Sequence, residues 1–123
     1  MTKLKILVVE DEIIIAKDLQ YILIDLGYNV PYIVSSGEEA IKIAKAIKPD
    51  LTIMDIKLSG ELDGIEAAMQ IHKSLDIPTI FLTAYNDLET SERLKEAEPS
   101  GYITKPVDGI ELSVIIKNAL SIN

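Results

Sequence analysis

At 123 residues the chain suits a single domain, residues 1–123, with room for a real core, and 48% hydrophobic against 26% charged residues excludes a disordered protein. A net charge of −8 argues against nucleic-acid binding, which needs a basic face for phosphates, and the absence of cysteine excludes disulfides and thiolate metal sites. No run resembles a signal peptide or reaches the length of a membrane span, so the expectation is a cytoplasmic protein without direct membrane contact.

The first predicted strand, KILVV at 5–9, is apolar and rich in β-branched residues. Three acids follow it without a break, Glu10, Asp11 and Glu12, and their mutual repulsion at a strand end demands a reason. A helical stretch, IIIAKDLQYILIDL, comes next, with Gly27 at its expected stop. The second strand, NVPYIV at 29–34, contains Pro31, which implies an edge position or an irregularity. Ser36 and Glu39 have capping-box spacing ahead of AIKIAKAIK, and Pro49 stands just beyond that helix. The third strand, LTIM at 51–54, runs into Asp55, and Asp63 with Glu66 opens the third helix.

The fourth strand, TIFL at 79–82, leads into Thr83. Asn86 and Glu89 then start an acidic helix, DLETSERLKEAE, with Pro99 beyond it. Its few apolar anchors, Leu88, Leu94 and Ala97, predict a weakly held element. The fifth strand, GYIT at 101–104, precedes Lys105, and Asp108 with Glu111 opens the last helix. His72, alone on the third helix, reads as a surface residue.

Five strand–helix alternations predict an α/β fold with a doubly wound five-stranded parallel sheet, (βα)5, flavodoxin-like, in strand order 2-1-3-4-5. Such sheets bind ligands beyond the carboxyl ends of their strands. That rule brings Glu10, Asp11, Asp55, Thr83 and Lys105 to one crevice. Any one of them alone has a bland reading as a helix cap or a solvated charge. Three carboxylates together need a counter-charge, and Mg²⁺ suits oxygen ligands of this kind. A cation, an ammonium and a hydroxyl around one carboxylate are also what phosphoryl transfer requires, with Asp55 as the nucleophile.

The set VVEDE, LTIMDIKLSGELDG, FLTAY and GYITKP resembles the receiver domain of two-component response regulators, in order, at family spacing and over essentially the whole chain. The resemblance implies Asp55 as phosphoacceptor, assisted by Thr83 and Lys105. It also implies a Mg²⁺ site of Asp11, Asp55 and the backbone carbonyl of Lys57, with Glu10 reaching the ion through water. Thr83 and Tyr102 match the switch residues, and Pro106 matches a cis-proline. Tyr85 falls where a gate for water is possible. The phosphodonor implied is a sensor histidine kinase or a phosphotransfer protein, the chain acts catalytically only on itself, and the face of the fourth helix, fifth strand and fifth helix could form a homodimer. Three positions depart from the family pattern. Glu10 replaces an aspartate, Val107 replaces a phenylalanine, and the Asp55-to-Gly64 loop is one residue longer, with Ser59 where proline often stands.

Other classes fit less well. A flavin-phosphate binder needs a hydroxyl- and glycine-rich loop where this chain has acids. A haloacid-dehalogenase-type phosphatase needs a second aspartate where Lys57 stands. A receiver-like interaction module that is never phosphorylated would not need the full acid, threonine and lysine set. The chain ends just after the fifth predicted helix, so the expectation is a stand-alone receiver or one part of a longer regulator.

Overall fold

The computed structural model describes residues 3–84 and 91–121. In chain order the elements are β1 (Ile6–Val9), α1 (Ile13–Asp25), β2 (Ile33–Val34), α2 (Gly37–Ile47), β3 (Leu51–Asp55), α3 (Gly64–Leu75), β4 (Thr79–Thr83), α4 (Ser91–Glu96), β5 (Gly101–Thr104) and α5 (Gly109–Ala119). All strand pairs are parallel and the sheet order is β2-β1-β3-β4-β5, as the alternation predicts. β1 and β3 are therefore neighbours, and a crevice opens beyond their carboxyl ends.

Successive strand residues point to opposite faces, so the sheet has two cores. Leu7, Val9, Met54 and Phe81 pack with Ala40, Ala44, Ile65 and Ile71 of α2 and α3 on one side. Ile6, Val8, Ile53, Ile80 and Leu82 pack with Leu19, Leu23, Leu112 and Ile116 of α1 and α5 on the other. Both faces are covered, which is why the central strands are continuous apolar runs rather than alternating ones.

Several local predictions hold in detail. Gly27 adopts φ 101 just past α1, where its N–H donates to Ile24 O and the Tyr28 N–H donates to Leu23 O. These two bonds form a Schellman ending, which needs the left-handed geometry glycine tolerates. Ser36 accepts from the Glu39 amide and Asp63 from the Glu66 amide, as their spacing implies. Asp108 instead accepts from Ile110 N, one residue earlier than a bond to Glu111.

The second strand is the main correction. Only Ile33 and Val34 pair as a strand, and Asn29 makes an isolated bridge to Lys5. Pro31 has no N–H for the ladder, so the edge breaks around it. The predicted third and fourth strands each gain one residue, taking Asp55 and Thr83 into the sheet itself. Asn86, Leu88, Glu89 and Tyr85 lie outside the described residues. His72 is half-buried, and its Nε2 lies 3.4 Å from Glu98 Oε2.

Candidate functional site

The apolar strands deliver their last side chains to one place. β1 ends at Val9, and Glu10 follows it, 1% exposed. Asp55 is the last residue of β3 and is 5% exposed. Carboxylate oxygens of Glu10, Asp11 and Asp55 all lie within 4.8 Å of one another. Three acids this close are unfavourable without positive charge, and Lys105, arriving from the end of β5, supplies part of it. Its Nζ lies 3.1 Å from Asp55 Oδ2 and 2.7 Å from Glu10 Oε1. The contact to Glu10 is an ion pair outside directed hydrogen-bond geometry, whereas that to Asp55 is a hydrogen bond.

Each acid has a further partner. The amide of Lys57 donates to Asp55 Oδ1 at 3.2 Å, which sets the Lys57 peptide beside the carboxylate. The Glu12 amide donates to Glu10 Oε2 at 3.1 Å. Ser59 donates to Asp11 Oδ2 twice, from its hydroxyl at 2.7 Å and its amide at 3.3 Å. The Ser59 hydroxyl is the main reason the Asp11 carboxyl is held below its usual range. Burial pushes Glu10 the other way, from 4.5 to about 7, against the opposing pull of Lys105 and the Glu12 amide. Burial also disfavours the Lys105 ammonium, but Glu10 and Asp55 outweigh it and its pKa is raised.

The remaining sequence-predicted residues lie on β4 and β5 or just beyond them. Thr83 ends β4, partly buried, and its carbonyl accepts from Lys105 N at 2.9 Å, joining the ends of β4 and β5. Tyr102 is 44% exposed, with its ring stacked on Phe81 at a centroid distance of 6.4 Å. The Lys105–Pro106 bond is cis, as the resemblance implied.

The donor set suits a hard divalent cation. Three carboxylates converge, Glu10 Oε1 is buried without a directed hydrogen bond, and a backbone carbonyl stands two residues beyond Asp55. Asp11, Asp55 and the Lys57 carbonyl are the groups that would hold Mg²⁺, with Glu10 behind them.

Two structural contributors escaped the sequence reading. Gly64, the first residue of α3, donates its N–H to Ile56 O, and a Cβ there would collide with the Asp55 carbonyl oxygen. Glu38 of α2 accepts from Leu62 N at 3.1 Å and fastens the loop between Asp55 and Gly64. Only the Asp-Gly pair at 63–64 hinted at the first, and nothing in the local pattern marked the second.

A family described as response regulator receiver domain matches residues 6–117. The chain is 36% identical over 117 residues to the transcriptional regulatory protein PdtaR of Mycobacterium tuberculosis, covering 95% of this chain and 57% of that protein. It spans about half the length of the curated relatives it matches. Among solved structures, the signal receiver domain of a modulated diguanylate cyclase from Desulfovibrio desulfuricans superposes with a TM-score of 0.93 at 38% identity, covering 98% of this chain and 95% of that one. The receiver domain of a sensor histidine kinase from Pseudomonas aeruginosa, which has a magnesium ion coordinated in its active-site cleft, superposes with a TM-score of 0.86 at 29% identity, covering 98% and 99%. The chain belongs to the response regulator receiver domains of two-component signalling.

Proposed function

We propose that Asp55 accepts a phosphoryl group from the phosphohistidine of a sensor histidine kinase or phosphotransfer protein. The observation that carries this reading is the convergence of Glu10, Asp11, Asp55 and Lys105 at the carboxyl ends of three strands. A carboxylate oxygen of Asp55 attacks phosphorus in line with the P–N bond. An acyl phosphate P–O bond forms, the P–N bond breaks, and its electron pair leaves on the imidazole nitrogen. Lys105, already bonded to Asp55, offsets charge on the phosphoryl oxygens, and the Thr83 hydroxyl can donate to one of them. Bound Mg²⁺ would supply further charge neutralisation at those oxygens.

The chain acts as a self-modifying phosphoacceptor, and hydrolysis of its own acyl phosphate resets it. The donor has apolar surface to meet beside the crevice, since Ile13 and Ile14, just after the acids, are 58% and 81% exposed. Among the described residues no helix is long and apolar enough to cross a membrane. Once phosphorylated, Thr83 moves towards the phosphoryl group and Tyr102 turns inward, so that the face of α4, β5 and α5 favours a different partner or a second copy of the chain. This is a shift between populations that already exist.

The test is chemical. With acetyl phosphate and Mg²⁺ the protein should gain one acid- and hydroxylamine-sensitive phosphoryl group, and Asp55→Asn should gain none. Stoichiometric labelling of Asp55→Asn at another residue would remove Asp55 from this role.

A further inference from the structure

We propose that Ser59 is a positioning residue for Asp11, holding its carboxylate ready for the cation from the longer loop. This rests on the reading of the site as a Mg²⁺-dependent phosphoacceptor. The hydroxyl and amide of Ser59 both donate to the same oxygen, Asp11 Oδ2, at 2.7 and 3.3 Å. A carboxylate has lone pairs on both oxygens, so this leaves Oδ1 free of any bond to Ser59. A proline at this position would have neither a hydroxyl nor an N–H, and could make neither bond.

Ser59 is itself held in place. Gly60 turns the chain with φ 100, and its α-carbon sits where a Cβ would come within 3.5 Å of Glu38 Oε2. Two residues on, Leu62 N donates to Glu38 Oε1 at 3.1 Å. On the other side of this contact, a Cβ at Gly37 would fall 2.8 Å from the Leu62 carbonyl oxygen, so α2 and the loop approach closely. The loop thus passes over the amino end of α2, where it is fastened at Glu38. From there Ser59 reaches back to Asp11 across 48 residues of sequence.

A ligand oriented before the ion arrives loses less freedom on binding. Hydrogen-bond partners behind metal ligands commonly change affinity by about 10–100-fold when removed. Ser59→Ala deletes the hydroxyl and leaves the amide bond in place, so the lower end of that range applies to it. Competition is the opposite possibility, since a carboxylate held by Ser59 could be withheld from the ion. Both bonds fall on one oxygen, which favours orientation.

The experiment is calorimetric titration with Mg²⁺ alone of the unaltered protein, Ser59→Ala, Ser59→Thr and Asp11→Asn, with the thermal midpoint of each measured without metal. Ser59→Ala should bind Mg²⁺ about tenfold more weakly. Ser59→Thr, which keeps the hydroxyl, should bind like the unaltered protein, and the metal-free midpoints of these two variants should match it. Equal or tighter binding by Ser59→Ala would overturn the proposal, as would equal weakening by Ser59→Thr. In both results Asp11→Asn would still lose binding, so the site assignment would stand. If Asp11→Asn bound as well as the unaltered protein, the site assignment itself would fall, and Ser59 with it.

Discussion

The loop after β3 and helix α4 stand at the same end of the sheet, yet they are held in different ways. The loop is fastened at Ser59 to Asp11 and at Leu62 to Glu38, and Gly64 lies against the backbone of Asp55. Helix α4 has Leu94, with Ala97 just beyond its end, as buried contacts among the described residues. It also has one forked ion pair, in which Arg93 donates to both oxygens of Asp63 at 2.8 and 3.2 Å. Those two side chains are 50% and 37% exposed, so water weakens the pair. Under the proposed function, the contrast separates two tasks. Charge chemistry needs ligands that stay put, whereas a switch needs an element whose displacement costs little. The link between them is Asp63, which caps α3 through Glu66 N while holding Arg93 of α4.

The largest expected effect is on the fixed wall. Gly64→Ala would place a Cβ against the Asp55 carbonyl, where neither backbone can move cheaply. Stability should fall by about 3 kcal/mol in urea denaturation, at the upper end of ordinary point substitutions. A change near zero would show that α3 does not press on β3 as closely as described.

A smaller effect should appear in pH dependence. The folded-state pKa of Glu10, about 7, lies above its ordinary 4.5, so the folded protein holds this proton more tightly than the unfolded chain. That stabilisation is complete below about 4.5 and is lost as pH rises through about 7. In the absence of metal, Glu10→Gln should flatten the stability profile across this window. Mg²⁺ should stabilise the unaltered protein least at the acidic end, where protons compete for the same oxygens. A parallel profile for Glu10→Gln would mean that another group carries the dependence.

The smallest change in global stability belongs to the movable wall. Arg93→Ala should cost about 0.5 kcal/mol, typical of an exposed ion pair. Its local effect should be larger, with faster amide exchange in α4 and little change in α3. Uniform loosening of both helices would erase the distinction between the walls.

Much of this arrangement was legible from residues alone. Strand alternation was enough to predict the sheet order, and the polar residues that close β1, β3 and β5 were enough to bring Glu10, Asp11, Asp55 and Lys105 together. That succeeds because topology turns a local property, the end of a strand, into a shared location. Contacts between loops were not legible. Ser59 with Asp11, Glu38 with Leu62 and Arg93 with Asp63 join residues 48, 24 and 30 apart, and no local period encodes them. The closeness of Gly64 to Asp55 was hidden for the same reason. Strand β2 was half legible: Pro31 marked an edge position or an irregularity, and the edge strand does break around it, but 29–34 read as one strand and only Ile33 and Val34 pair as one.

The most direct measurement is amide exchange in the unaltered protein and in Thr83→Ala, with and without beryllium fluoride and Mg²⁺. The mimic should alter protection from α4 through β5 and Lys105 in the unaltered protein, while the body of α3 stays unchanged. Thr83→Ala should bind the mimic at the crevice but show much less change in α4 and β5. A response confined to the ends of β1 and β3, with α4 and β5 silent in the unaltered protein, would contradict the division between a wall that holds charge and a wall that moves.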